Sequence, residues 1–87
     1  MRNKDEMQTR EALSERLNDV FQDVFDDDSI RIFPEMTARD LDEWDSLKHI
    51  TLVLAVEKAF NIRLKAAEVG SLENVGQMID LLEKRTA

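Results

Sequence analysis

Apolar residues recur at three- and four-residue steps through the first third of the chain: Leu13, Leu17, Val20, Phe21, Val24 and Phe25, with polar residues between them. That period is helical, and it predicts an amphipathic helix of about twenty residues starting near Asp5. The stretch "DDDS", Asp26 to Ser29, is a natural stop, because consecutive aspartates oppose the negative end of the helix dipole. The connection "SIRIFPEMTARDLDEW" follows. Pro34 prevents it from forming one continuous helix, and Ile30, Ile32 and Phe33 are the residues expected to pin it to the core. Connections of this length inside compact domains usually carry function.

A second helix is predicted from about Ser46 to Phe60. Asp45 is its N-cap, its carboxylate accepting the free amides of the first turn. Leu47, Ile50, Leu52, Val53, Leu54, Ala55, Val56, Ala59 and Phe60 place apolar groups on most sides. A helix apolar nearly all round belongs in the middle of a bundle, so both Val53 and Leu54 are expected to be buried. Asn61 suits the left-handed residue that closes such a helix. A short helical turn is predicted at "KAAEV", Lys65 to Val69, closed by Gly70. The last helix starts near Asn74, with Gln77 placed to complete a capping box. Val75, Met78, Ile79 and Leu82 form its inner stripe, and Lys84 and Arg85 suit its C-terminal end. The fold expected is all-α: a small bundle of three main helices plus one short one, in a single domain spanning residues 1–87.

Composition narrows the function. The chain has 87 residues, with only two glycines and one proline, which argues against a turn-rich β fold. It is too small for a large enclosed active site. With no cysteine it offers no disulfide, thiol nucleophile or zinc–thiolate site. A net charge of −7 repels phosphate backbones and disfavours nucleic acid as a partner. The N-terminus "MRNKDEMQTREAL" has no apolar core of a signal peptide, and the longest apolar run, "LVLAV", is far too short to span a bilayer. A cytoplasmic protein is expected.

Enzymatic constellations are poorly supported. The single histidine, His49, stands three residues after Ser46, so the two are neighbours on a helix and a Ser–His dyad is conceivable. Nothing nearby supplies an oxyanion hole or an enclosing pocket, and a solvent-facing His49 is the expectation. A calcium loop starting at Asp26 would have Asp28 at its third position and Ile30 at its fifth. It would then have Arg31 where glycine is required and Thr37 where a bidentate glutamate belongs, so it fails.

Ser46 remains. Four acids, Asp40, Asp42, Glu43 and Asp45, precede it in "DLDEWDSLKHI". As the first residue of a helix it is held at the surface, beside free amides and the positive end of the dipole. A phosphate ester attached there would be favourably placed. The plainer alternative is that serine is simply a good first-turn residue.

Context adds to this. "DSL" opens the central helix of an acidic, all-helical chain, after a long loop, and is followed by "VEKAFNI" and "LENVGQMIDLL". In this arrangement the chain resembles the acyl carrier protein family over nearly its whole length, most strongly from Leu41 to Leu82. The resemblance implies a carrier rather than an enzyme. Ser46 would be the attachment site of 4'-phosphopantetheine, with Asp45 and Leu47 completing the motif. The arm would come from coenzyme A through a phosphopantetheinyl transferase and Mg2+, and its thiol would explain how a cysteine-free chain holds thioesters. Other implied partners are an acyl-loading ligase or transferase and downstream synthase enzymes, with no membrane insertion and a monomeric state.

Several positions depart from the family's common pattern. Many fatty-acid carriers read "LDSLD"; this chain reads "EWDSLKHIT". Trp44 replaces a smaller apolar residue, as a core plug or a partner contact. Lys48 and His49 stand where acids or small polar residues are common, and Thr51 where glutamate is frequent. "WDSL" looks more like stand-alone carriers of specialised pathways handling polyketide, aminoacyl, sugar-linked or unusual acyl groups. Partner choice is expected on the rim of Ser46, from Asp40, Asp42, Glu43, Trp44, Lys48 and His49. The alternatives are an aminoacyl or peptidyl carrier and, from another class, an unmodified helical adaptor.

Overall fold

A computed structural model describes residues 9–86. They form α1 (Arg10–Phe25), α2 (Ser46–Phe60), the short α3 (Ala66–Gly70) and α4 (Val75–Thr86), with one 3-10 turn (Ala38–Asp40) in the long connection after α1. The described residues are all-helical, as the periodicity predicts. α1 starts at Arg10 rather than near Asp5, because the Thr9 backbone is extended and its hydroxyl accepts from the Ala12 N–H at 3.1 Å; Asp5 itself lies outside the described residues. At its other end Asp26 takes the left-handed conformation, with φ 52°. The Asp27 N–H reaches back to the Gln22 carbonyl at 3.0 Å. The aspartate run therefore stops the helix by a left-handed cap as well as by its charge.

The core gathers Leu13, Leu17, Phe21 and Phe25 of α1, Leu52, Val56 and Phe60 of α2, and Val75, Met78, Ile79 and Leu82 of α4. α1 is the helix that packs against both α2 and α4. This corrects the expectation that α2 is central. α2 buries Leu52, Val53, Val56 and Phe60 but leaves Leu47, Ile50 and Leu54 at 73%, 57% and 56% exposure. Spacings of three and four put those three on one outward stripe.

Two cations fasten α1 to α2 reciprocally. Lys48 Nζ, near the start of α2, donates to the Val24 carbonyl at the end of α1 at 3.3 Å. The Arg16 guanidinium donates to the Ala59 carbonyl at the end of α2 and lies 4.4 Å over the Phe60 ring. Each helix thus receives positive charge at its negative end from the other.

The long connection is tied down at several points. Ile30 is buried, Ile32 is half-buried, and Phe33 is exposed; Met36, not Phe33, supplies the second buried anchor. The Ile32 N–H donates to Asn18 Oδ1 at 2.8 Å. α4 takes its first acceptors from this loop: Val75 N–H donates to the Met36 carbonyl at 2.9 Å and Gly76 N–H to the Pro34 carbonyl at 2.8 Å. A Cβ on Gly76 would lie 3.0 Å from that Pro34 oxygen, so glycine is needed for close approach. Asn74 Oδ1 accepts from Gln77 N–H at 2.8 Å, while Gln77 Oε1 accepts from the Glu73 N–H. The reciprocal cap therefore forms with its second bond one residue upstream of Asn74. Gly70 lies inside α3, which ends at Ser71 in a right-handed conformation, so no left-handed glycine closes it.

Candidate functional site

Ser46 is the first residue of α2 and is exposed. Its position follows from Asp45, whose extended backbone sets the cap and whose Oδ1 accepts from the Lys48 N–H at 2.8 Å. Among the described residues no acceptor is found for the Ser46 and Leu47 amides, so two donors of the first turn remain open beside the serine hydroxyl. Leu47 points outward.

The acids upstream do different things. Asp40 Oδ2 accepts from the Thr37 N–H at 2.8 Å and closes the capping box of the 3-10 turn. Asp42 and Glu43 are exposed. Trp44 is only 9% exposed and stands edge-on to Phe21, ring centroids 5.3 Å apart at 82°. Expected as either plug or partner contact, it is placed as a core plug: a flat indole fills the end of the aromatic cluster built by Phe21 and Phe25. Lys48, expected to face partners, instead turns back onto α1 and is half-buried.

His49 does not face solvent freely either. Trp44 Nε1–H donates to His49 Nδ1 at 3.2 Å, and the two rings lie nearly parallel, 18° apart. With Nδ1 accepting from Trp44, that nitrogen is not a base for the Ser46 hydroxyl, and no hydrogen bond joins the two residues among the described contacts. The dyad is therefore not assembled. No group of three or more potential metal ligands occurs among the described residues.

Ser46 stands on the rim of an open groove of about 680 Å³. Trp44, His49 and Ile50 line one side; Val69, Leu72 and Met78, from α3, the segment after it and α4, line the other. The wall is mainly apolar, with Asp45, Glu73 and Asn74 among its polar members. Sequence reasoning found Ser46 but not this groove, because its far wall lies more than twenty residues downstream with no local motif to announce it. The Trp44–His49 bond spans five residues across a helix cap, a separation that is neither helical nor strand-like.

No protein-family model and no curated protein matches the sequence. Among solved structures, the chain is similar to the solution NMR structure of a holo acyl carrier protein from Geobacter metallireducens. The two share 40% identity over 84% of each chain, with a TM-score of 0.80. The chain belongs to the acyl carrier protein family. By that membership it is a carrier of acyl groups rather than an enzyme. No helix among the described residues is long and apolar enough to cross a membrane.

Proposed function

We propose that this chain forms one carrier domain that holds acyl groups as thioesters on a 4'-phosphopantetheine arm attached to Ser46. The observation that carries the assignment is the exposed Ser46 at the start of α2, on the rim of the groove, in a chain of the carrier family. The residues present fit the group. A phosphodiester at Ser46 lies next to the open first-turn amides and the positive dipole end, and the groove offers room for an arm or a short cargo. When bound, the arm supplies the thiol that this cysteine-free chain lacks. Attachment requires the Ser46 hydroxyl to lose its proton and form a bond to the phosphorus of coenzyme A nearest the pantetheine; adenosine bisphosphate departs with the electrons of the broken P–O bond.

The chain's part in that step is positional. Asp45 holds the helix start and therefore the serine, and Leu47 presents an apolar contact beside it. Any enzyme acting at Ser46 must cover its surroundings. A phosphopantetheinyl transferase, an acyl-loading ligase or transferase and downstream synthases would meet exposed Asp42 and Glu43 on one side. On the other they would meet the apolar stripe of Leu47, Ile50 and Leu54. A basic and apolar partner surface matches this combination. Trp44 is buried and Lys48 turns back onto α1, so both act on partners through the shape they maintain, while Asp40 caps the 3-10 turn from an exposed position beside Asp42 and Glu43. The protein is assigned to the cytoplasm, as a monomer, in a specialised acyl pathway.

Incubation with coenzyme A, Mg2+ and a broad transferase is expected to add one arm, seen as a single increment in intact mass. Ser46→Ala is expected to abolish the addition while keeping its helicity. An arm that still adds to Ser46→Ala would place the attachment elsewhere.

A further inference from the structure

Trp44 has an indole N–H and no other hydrogen-bonding group, so in its bond to His49 it is the donor. His49 Nδ1 is then the acceptor, and the proton of the neutral imidazole sits on Nε2. The tautomer and the ring plane are both set, the latter by a hydrogen bond that holds the two rings nearly coplanar, edge to edge, with the indole itself packed edge-on against Phe21 and Phe25. Nε2–H has no acceptor among the described residues. His49 lines the groove one turn along α2 from Ser46, on the same face.

Beyond the open first-turn amides, which lie next to the phosphodiester, the groove offers few side-chain donors near the serine. Ile50, Val69, Leu72 and Met78 are apolar, and Asp45 and Glu73 are carboxylates, which only accept. The side-chain amide donor, Asn74, lies at the α4 end, with its oxygen held by the Gln77 N–H and its NH2 belonging to a different part of the lining from the start of α2. A chain with amide and thioester carbonyls entering from Ser46 brings acceptors that would lose water without replacement, and an acceptor left so is penalised.

We propose that His49 binds the arm, donating Nε2–H to an amide or thioester carbonyl of the chain attached at Ser46, and that Trp44 is the positioning residue that holds His49 for it. This rests on attachment at Ser46, and the test separates the two ideas. The holo-protein is prepared with 15N-labelled His and, in a second sample, with a 15N,13C-labelled pantetheine arm; arm addition is checked by intact mass. In the parent, the His49 ring nitrogens are expected to show the Nε2–H tautomer in both apo- and holo-protein. The Nε2 resonance should shift on arm attachment, and nuclear Overhauser contacts should join the ring to the arm. His49→Leu should lose the ordering of the arm amides, whose heteronuclear NOE should fall to that of free phosphopantetheine. His49→Gln should retain it, since a carboxamide can accept from Trp44 and donate onward. Trp44→Phe, which keeps an aromatic plug, should leave a mixture of His49 tautomers and weaker arm contacts.

If the parent takes up no arm, both ideas fall at the mass measurement. If it takes up the arm but the Nε2 resonance is the same in apo- and holo-protein, or the arm stays ordered in His49→Leu, this inference alone is overturned. Unchanged ring resonances and arm contacts in Trp44→Phe would overturn the positioning role. Should any variant lose helicity, the parent's apo-to-holo comparison decides by itself.

Discussion

α1 and α2 are nearly equal in length, at 16 and 15 residues, yet they use apolar residues in opposite ways. α1 is the more polar helix and keeps a narrow apolar stripe, and all of Leu13, Leu17, Val20, Phe21 and Phe25 are buried. α2 is apolar on most of its circumference, and three of its large apolar residues, Leu47, Ile50 and Leu54, face outward in one stripe. The helix that looks more like a core element is therefore the less central one. Apolar residues held outward add little to the fold, and under the proposed function they form the surface that a partner would cover.

The comparison breaks first, and most severely, in α1. Phe21 is fully buried and touches both Phe25 and Trp44. Phe21→Ala is expected to cost about 3–5 kcal/mol, and a domain this small has little more than that in total, about 5–15 kcal/mol for ordinary domains. Urea melts would show it as a large drop in midpoint; a midpoint near the parent's would mean that the aromatic cluster is not the centre of the core.

Within α2 the contrast sharpens between residues two apart. Leu52→Ala is expected to lose about 2–5 kcal/mol, because its side chain is fully buried. Leu54→Ala should stay within about 0.5 kcal/mol, while slowing transfer of acyl groups by a partner enzyme. Equal melting temperatures for the two variants would contradict the faces described for this helix.

Gly76 tests the junction between the long loop and α4. Gly76→Ala is expected to destabilise by about 1–3 kcal/mol, since the added methyl meets the Pro34 carbonyl rather than a side chain that can swing away. A stabilised variant, as helix propensity alone would favour, would show that the loop yields.

The reciprocal caps should matter less. Lys48→Met and Arg16→Met are each expected to cost about 0.3–1 kcal/mol. The loss should shrink with added salt, because these are partly solvated charges at helix ends. A loss independent of salt would point instead to the contact of each cationic head with an aromatic ring, Arg16 over Phe60 and Lys48 over Phe25.

The smallest effect lies in the turn after α1. The Ser29 hydroxyl and then the Ser29 N–H donate to Asp27 and hold its carboxyl below the usual range. A depressed folded pKa means a contribution that is present above the unfolded value of 3.8 and lost as pH falls through the folded one. Asp27→Asn should flatten that part of the acid-denaturation curve slightly: its small loss of stability is present at neutral pH and disappears once the pH is below the folded pKa. An unaltered acid limb would show that the turn contributes nothing to stability.

Much of the molecule was legible in its residues. Local chemistry sufficed wherever one segment carries the whole instruction: the stripe of α1, Asp45 as cap, Asn61 as the left-handed end, Val75 to Leu82 as the inner face of α4. Ser46 was legible as a surface serine at a helix start for the same reason. Tertiary structure decided what depends on distant segments. Periodicity states that α2 is apolar all round but not which side α1 covers, so Leu54 was expected inside and lies outside. Lys48 turns inward because the end of α1 presents a carbonyl to it. His49 is held by Trp44 because Phe21 and Phe25 first hold the indole. The groove beside Ser46 exists only once α3 and α4 have folded back opposite α2, since its two walls are joined by packing and by no local pattern.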